Sequence, residues 1–182
     1  MKKLALALAA TAAFALAVPM AHAAASIETP EAQMMAQSAA DEARFEVRET
    51  FGDLNLKPGQ YRWADESGEG PTRIVISLGE QRVYVYRGAR LVAVSTISSG
   101  KPGKDTPTGI FPILEKQPLY HSRKYDNAAM PFMQRIDDYG IALHAGVVTR
   151  QPASHGCVRL PAKFAAKLYG VTQIGSQVLI GV

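Results

Sequence analysis

The fold of this chain is decided by residues 73–98, which read RIVISLGEQRVYVYRGARLVAVSTIS. Three stretches within this segment are rich in β-branched and aromatic residues: 73–78, 81–87 and 91–98. The residues that separate them, Gly79-Glu80 and Gly88-Ala89, suit tight turns. The pattern predicts three antiparallel strands joined as a β-meander.

Side chains of the middle stretch alternate between two faces. Successive side chains of a strand point to opposite sides, so Val83 and Val85 share one face while Tyr84 and Tyr86 share the other. We interpret the two tyrosines as packing residues rather than as members of a site.

Downstream of the meander, the chain continues as short strands and long loops. A loop at 100–109, rich in Gly, Pro and Lys, leads to a strand predicted at 110–116. Residues 117–138 show no clean period and are predicted to form one large loop, and loops of this length in a compact domain are usually functional. Short strands are predicted at 141–143 and 157–160.

The C-terminal part predicts one helix and a last strand. Pro161 suits the first position of a helix, Phe164 and Leu168 belong to its apolar stripe, and Gly170 ends it. A final strand is predicted at 177–182. The fold class expected from these elements is mainly β: a compact mixed-sheet sandwich or barrel-like domain with one short helix and one long loop.

The N-terminus has the organisation of a secretory signal peptide. Lys2 and Lys3 precede an apolar run at 4–18, which is shorter than the ~20 residues that a membrane-spanning helix needs. Ala21-His22-Ala23 forms a small-x-small cleavage site. We therefore expect a signal peptide at 1–23 and export to the periplasm, and the short apolar run disfavours the alternative of an uncleaved anchor.

Residues 24–70 are predicted to be a linker or a loosely packed lead-in that is partly helical. Pro30 and Glu31 suit the start of a helix that runs to Arg44 or beyond, but this segment lacks a broad apolar face. Glycines and prolines among acidic residues follow it up to Pro71. Residues 71–182 then form the one predicted folded domain.

Composition limits both the number of domains and the class of partner. Removal of residues 1–23 leaves 159 residues, enough for one domain with its own core. Without Lys2 and Lys3, the 20 basic residues become 18 against 16 acidic ones, a net charge of +2. Lysines and arginines are scattered rather than gathered in a stripe, so no nucleic-acid partner is expected.

Cys157 is the single cysteine of a chain that we expect to meet an oxidising compartment. A lone thiol in such a chain is an intermolecular disulfide partner, a buried apolar residue or a reactive group. Polar neighbours, Ser154-His155 on one side and Arg159 on the other, favour the reactive group. Gly156 permits a sharp turn in which its own amide and that of Cys157 could face a developing oxyanion.

A reactive thiol needs a base or an electropositive setting, because only the thiolate is a good nucleophile. His155 would share a face with Cys157 in an extended segment, whereas His144 ends an apolar strand, where rigid scaffolds present catalytic groups. Spacing alone does not choose between them. Arg159 could bind a carboxylate, favour the thiolate or form a structural ion pair. No CxxC or HxxxH spacing supports zinc, so no metal is expected.

These residues lie in motifs that resemble a known family. His144-Ala145-Gly146, followed by PASHGCVRLP at 152–161, is similar to the signature of the L,D-transpeptidase catalytic domain. Three further segments resemble the proteobacterial branch: Ser99-Gly100-Lys101, Thr106 to Phe111, and His121 to Met133. The resemblance covers residues 71–182, although residues 150–153 lack a glycine that the compact family variant has there.

The resemblance implies an activity on peptidoglycan. Cys157 would be the nucleophile that attacks the bond between the L-centre of diaminopimelate (or lysine) and the terminal D-alanine of a tetrapeptide stem, with His144 as general base. D-Alanine leaves and a thioester remains. An amine then takes the acyl group, either on a second stem, giving a 3-3 crosslink, or on an envelope protein. Neither a cofactor nor a metal is implied.

The resemblance also implies supporting roles for residues around the thiol. The carbonyl group of Ala145 would orient the imidazole. His155 and Gly156 would contribute to the oxyanion site, and Arg159 would support the loop or the substrate. The loop at 117–138 is expected to be a lid over the donor.

Three residues of this predicted lid are expected near the substrate: Tyr125, Met130 and Phe132.

We expect a monomer. Two alternatives stay open: an L,D-carboxypeptidase or amidase that passes the same thioester to water, and a noncatalytic peptidoglycan-binding module in which Cys157 is dispensable.

Overall fold

A computed structural model of the protein describes residues 25–64 and 69–182. The predicted signal peptide at 1–23 lies outside the described residues. Within the described ranges, no helix combines the length and the apolar character needed to cross a membrane.

The described residues form two helices and ten strands. In chain order these elements are α1 (Pro30–Phe51), β1 (Tyr61–Trp63), β2 (Thr72–Ser77), β3 (Arg82–Arg87), β4 (Arg90–Thr96), β5 (Gly109–Pro112), β6 (Glu115–Gln117), β7 (Met133–Arg135), β8 (Ala142–Ala145), β9 (Val158–Leu160), α2 (Ala162–Val171) and β10 (Gln177–Gly181). Six strands make one sheet in the order β1-β4-β3-β2-β10-β5, and four make a second in the order β6-β7-β8-β9. The expected mainly β, mixed-sheet fold is confirmed.

The predicted meander is present as β2, β3 and β4, paired antiparallel in sequence order. One register shift between Val85 and Tyr86 marks a β-bulge in the β3–β4 pair. The final strand β10 joins the same sheet parallel to β2 and antiparallel to β5. The C-terminus of the chain is thereby paired on both sides.

One face of the meander packs into the main core. Val83 and Val85 lie there with Leu143 and Leu160 of the second sheet and with Phe164 of α2. Residues of both sheets and of one helix thus share a single core, as in a two-layer sandwich. This core holds β8 and β9 against the larger sheet.

The other face of the meander is covered by α1. Tyr84 and Tyr86 are both buried and pack in a second cluster that includes alanines of this helix. The expectation of a loosely packed lead-in is therefore wrong for Pro30–Phe51. The reason is side-chain size. Small residues on the buried face of α1 bring the helix close to the sheet but give a weak apolar pattern in the sequence. These buried residues are Ala32, Ala36, Ala40, Ala43 and Val47.

Polar contacts complete the attachment of α1. Thr29 caps its first turn by accepting a hydrogen bond from the amide of Ala32 at 3.3 Å. Glu80, in the turn before β3, pairs with Arg44 of the helix and accepts a hydrogen bond from the Tyr84 hydroxyl. Burial, reinforced by this carboxylate, raises the pKa of Tyr84 well above its ordinary value, so the phenol stays neutral.

The long loop predicted at 117–138 contains a strand that sequence periodicity does not reveal. β7 is only three residues long, and it pairs antiparallel with both β6 and β8. The strand predicted at 110–116 is likewise divided into β5 and β6, which belong to different sheets. Alternation over three residues is too short to be recognised in a sequence.

The close approach of α1 to β10 makes Gly181 a sensitive position. A Cβ at this residue would lie 2.9 Å from Gln37 Cα and 3.0 Å from the Ala36 carbonyl oxygen. We expect Gly181→Ala to lower the free energy of unfolding by about 1–3 kcal/mol, because α1 must move away from the sheet. Urea denaturation measures the change.

Gly170→Ala is the matched control, since a Cβ there meets no atom within 4 Å and lies in α2. It is expected to be neutral or slightly stabilising, because alanine is the better helix former. Equal losses in the two variants would contradict the tight α1–β10 contact.

Candidate active site

The site is organised by the parallel pair β8 and β9. Their register places His144 opposite Arg159, and Cys157 directly precedes β9. All three residues line one groove of about 380 Å³. Two segments that are 13 residues apart in sequence therefore present an imidazole, a guanidinium and a thiol to the same space.

His144 is the buried histidine of this groove, with 7% of its surface exposed. Its Nδ1 lies 2.8 Å from the carbonyl oxygen of Ala145. A carbonyl can only accept, so Nδ1 carries the hydrogen and Nε2 is left as the basic nitrogen. The predicted orienting role of Ala145 has this contact as its geometric basis.

Burial lowers the pKa of His144, and the charge of Arg159 lowers it further, while the hydrogen bond to Ala145 opposes both effects. The imidazole is thus held in its neutral form. A neutral imidazole with a free Nε2 has the properties of a proton acceptor.

Cys157 is half-buried, and its Sγ lies 3.7 Å from the Gly140 carbonyl oxygen. Burial raises the pKa of the thiol, and the charge of Asp137 adds to this effect. The Ala142 amide and the Arg159 charge act in the opposite direction. At neutral pH the thiol therefore keeps its proton until a base removes it.

Gly156 makes the turn that precedes the thiol. Its φ of 116° favours glycine, and a Cβ would lie 2.5 Å from Ile141 Cδ1. Its amide donates to Ser154 Oγ at 3.1 Å. The expectation that this amide faces an oxyanion is therefore wrong in this structure, because the donor is already used; the contribution of Gly156 is conformational.

Two buried hydroxyl groups around Cys157 were not among the predicted site residues. Ser154 Oγ donates to the carbonyl oxygen of Cys157. Thr106 Oγ1 donates to the carbonyl oxygen of Gly156 at 2.7 Å. Both lie in motifs that the sequence shows, but nothing in a motif reveals that a threonine 51 positions away contacts the turn before the thiol.

Arg159 follows the thiol by two residues and also lines the groove. Its aliphatic stem lies against Gly146, where a Cβ would come within 3.1 Å of Arg159 Cγ. Among the described residues, its guanidinium makes neither an ion pair nor a side-chain hydrogen bond that would occupy it. Within the part of the chain that the structure describes, the structural ion pair considered as an alternative is thus not formed.

His155 also lines the groove, but it is exposed, whereas His144 is buried. Its ring stacks on Tyr125, with ring centroids 4.6 Å apart. Both residues border the groove of His144 and also a second, smaller cavity of about 220 Å³ that Cys157 borders as well. The two histidines therefore occupy different environments: His144 is buried, and His155 is exposed and stacked on Tyr125.

The predicted lid residues divide into two groups. Tyr125 and Met130 border both cavities. Phe132 borders neither; its ring packs on Tyr169 of α2 at 5.9 Å, and its amide donates to the Pro118 carbonyl. Phe132 directly precedes β7 and packs on α2, so it does not lie at either cavity, where it was expected near the substrate.

Basic residues surround the smaller cavity, where Arg123 and Lys124 lie with Tyr120 and Tyr139. Within the described ranges, no three His, Cys, Asp or Glu side chains are grouped as a metal ion requires. His121 is exposed and pairs through its backbone with Ala129.

A neutral imidazole and a protonated thiol on adjacent parallel strands form the pair that thiol-dependent acyl transfer uses. The fold and the site together define the class of cysteine acyltransferases built on a two-sheet β domain. Residues 71–180 match the model of the YkuD family, described as the L,D-transpeptidase catalytic domain, and the chain belongs to this family.

Solved structures agree with this assignment. An L,D-transpeptidase from Stackebrandtia nassauensis is 25% identical over 64% of this chain and 58% of its own, with a TM-score of 0.57. The L,D-transpeptidase from Mycobacterium smegmatis is 21% identical over 61% and 58%, also at 0.57. L,D-transpeptidase 3 from Mycobacterium tuberculosis, solved with a faropenem-derived adduct, is 20% identical over 62% and 60%, at 0.57.

The chain thus spans 58–60% of the length of these three solved structures. A search of curated proteins gave no significant match.

The pKa directions predict how Cys157 reacts with iodoacetamide. Because burial raises the pKa of the thiol, the alkylation rate should keep rising above pH ~8.5, the ordinary thiol pKa. Mass spectrometry of the intact protein across a pH series measures this rate. A peptide of residues 152–160 supplies the unperturbed reference, and a midpoint below that of the peptide would contradict the burial effect.

Proposed function

We propose that this protein is a peptidoglycan L,D-transpeptidase in which Cys157 is the nucleophile and His144 the general base. The observation that carries the proposal is the pairing of a half-buried thiol with a buried, neutral imidazole whose Nε2 is free, in one groove. Membership of the YkuD family supports the substrate class, the stem peptides of peptidoglycan.

The first step is acylation of the thiol by a tetrapeptide stem. His144 Nε2 takes the proton of Cys157 Sγ as the sulfur attacks the carbonyl carbon between the L-centre of diaminopimelate and D-alanine. The Sγ–C bond forms, and the C–N bond breaks when the imidazolium returns the proton to the leaving amine. D-Alanine leaves, and an acyl thioester remains on Cys157.

The second step transfers the acyl group to an amine. The amine attacks the thioester carbon, its proton passes to His144 Nε2, and the C–S bond breaks to restore the thiol. Cys157 borders two cavities, which supports a route in which the donor occupies one cavity and the acceptor the other. The acceptor would be a second stem, giving a 3-3 crosslink, or an envelope protein.

Charge around the thiol supports an anionic donor. Stem peptides carry several carboxylates, and Arg123, Lys124 and Arg159 border the two cavities. Opposite charges at such a site raise both the encounter rate and the residence of the substrate. Arg159 has the geometry to bind a carboxylate, since no described residue occupies its guanidinium.

The cellular setting is part of the proposal. The signal-peptide pattern at 1–23 supports export to the periplasm, where stem peptides are accessible. The motifs at 99–101 and 106–111 support the proteobacterial branch of the family, and a monomer is sufficient because the proposed site is built from one chain.

The activity can be tested with a tetrapeptide-stem muropeptide and an excess of acceptor amine. We expect release of D-alanine and a product whose mass is that of the stem joined to the amine. Mass spectrometry follows both. Cys157→Ala should abolish the thioester and D-alanine release while the unfolding midpoint stays near that of the unchanged protein.

Each other outcome supports a different function. A bare tripeptide as the sole product would indicate hydrolysis, and hence a carboxypeptidase. Absence of D-alanine release would favour the binding module, and turnover retained in Cys157→Ala would exclude the thiol mechanism.

Replacement of the two histidines separates their roles. His144→Ala should lower turnover by at least about 10²-fold, because the proton acceptor is lost. His155→Ala should cost less, because His155 is exposed and stacked on Tyr125. Steady-state rates of D-alanine release measure both variants. The reverse order of losses would identify His155 as the base.

A further inference from the structure

The peptide group that joins Gly156 to Cys157 is held from one side by a threonine of a distant loop. Thr106 Oγ1 donates to the Gly156 carbonyl oxygen at 2.7 Å and accepts from the Gly100 amide at 2.9 Å. Thr106 is buried, with 5% of its surface exposed. A hydroxyl has one hydrogen to donate, so this bond to Gly156 uses the whole donor capacity of Thr106.

The loop that carries Thr106 is closely packed against itself and against the segment before the thiol. A Cβ on Gly100 would lie 2.0 Å from the Lys104 carbonyl oxygen, so the turn tolerates only glycine there. The Lys101 amide donates to the Ser154 carbonyl, and the Ser154 amide donates to the Ser99 carbonyl. The loop that carries Thr106 is therefore held rigidly beside Gly156.

The orientation of one end of a peptide group determines the other. No peptide bond among the described residues is cis, so the Gly156 C=O and the Cys157 N–H point in opposite directions. Since the carbonyl points at the buried Thr106 hydroxyl, the Cys157 N–H points away from it. Thr106 therefore determines the direction of an amide that it does not touch.

The Cys157 N–H is the amide of this turn that remains available to donate to a substrate. The Gly156 N–H is used by Ser154 Oγ, and among the described residues the Cys157 N–H has no acceptor. Cys157 itself borders both cavities. A carbonyl attacked by Sγ develops its negative charge within reach of the amide of the same residue.

We propose that Thr106 is a positioning residue that aims the Cys157 amide at the oxyanion formed during acyl transfer. Its hydrogen bond also polarises the Gly156–Cys157 peptide, which makes the N–H a stronger donor. This inference rests on the proposed thiol acyl-transfer function. In this proposal Thr106 acts on the developing oxyanion, through the Cys157 amide, and not on the thiol or the base.

Two reactions of the same sulfur separate these effects. Iodoacetamide alkylates Sγ by direct displacement: the S–C bond forms, the C–I bond breaks, iodide leaves, and no oxyanion develops. Faropenem acylates Sγ: the S–C bond forms, the β-lactam C–N bond breaks, the ring nitrogen takes the proton, and an oxyanion develops on the way. Only the second reaction should depend on Thr106.

The variants are Thr106→Val, which keeps the shape but removes the hydroxyl, and Thr106→Ser, which keeps the hydroxyl. Thr108→Val is the matched control, the same change two residues along the same loop with no hydrogen bond to the turn before Cys157. Thr106→Ala provides the same deletion if the valine variant does not fold. Rates of both modifications are measured on the purified full chain by mass spectrometry.

We expect Thr106→Val to slow acylation by about 10- to 100-fold, while the alkylation rate and its pH profile stay unchanged. Thr106→Ser and Thr108→Val should acylate at nearly the rate of the unchanged protein. The Cys157 amide nitrogen should also change its NMR chemical shift in Thr106→Val, because the peptide loses its hydrogen bond.

Other outcomes overturn the inference in distinguishable ways. Equal losses in alkylation and acylation would make Thr106 a merely structural residue. Unchanged acylation in Thr106→Val would show that the hydroxyl does not position the amide. If faropenem does not acylate the unchanged protein, the rate of D-alanine release from the tetrapeptide stem serves as the acylation readout for the same variants. If the unchanged protein is alkylated at Cys157 but neither is acylated by faropenem nor releases D-alanine, the proposed function itself fails, and the role of Thr106 fails with it.

Discussion

The parallel pairing of β8 with β9 is the constraint on which the site depends. Its register sets His144 level with Arg159 and leaves Cys157 at the entrance of β9. Because neighbouring strands lie about 4.8 Å apart, this pairing alone brings the imidazole-bearing and thiol-bearing segments together. A parallel pair needs a crossover, and here residues 146–157 provide it without a helix. Hydrogen bonds to the Ser99 carbonyl and from the Thr106 hydroxyl hold that crossover in one conformation.

Burial has the same electrostatic consequence for both members of the pair. It lowers the pKa of His144 and raises the pKa of Cys157, so each group rests in its neutral form. Such a pair does not store a thiolate at rest, and in the proposed reaction the thiolate forms only when a substrate is attacked. Arg159 acts on both groups, favouring the neutral imidazole and the ionised thiol. These pKa directions disfavour a permanent thiolate–imidazolium ion pair and agree with the proposed proton transfer during the reaction.

Both faces of the larger sheet are covered, and this gives the site its rigid base. One face packs on β8, β9 and α2, and the other on the alanine face of α1. An antiparallel meander with one face in water would be freer to twist and bend, whereas a sheet buried on both faces is held by close packing. α1 lies outside residues 71–180, the part of the chain that the family model matches, yet it packs on the same meander.

The sequence by itself determined the meander, the terminal strand, the helix after Pro161 and the residues with chemistry, because alternation, turn glycines and a lone cysteine are local signals. It could not place β7 or Phe132, since three residues carry no period, nor the packing of α1, since alanines give a weak apolar signal. Spacing alone left His144 and His155 as rival bases, and it was the family resemblance that implied His144. Only the tertiary structure showed that the two histidines differ in environment, with His144 buried and His155 stacked on Tyr125, and only it brought Thr106 to Gly156. Such contacts depend on which distant segments meet, and no local pattern encodes that.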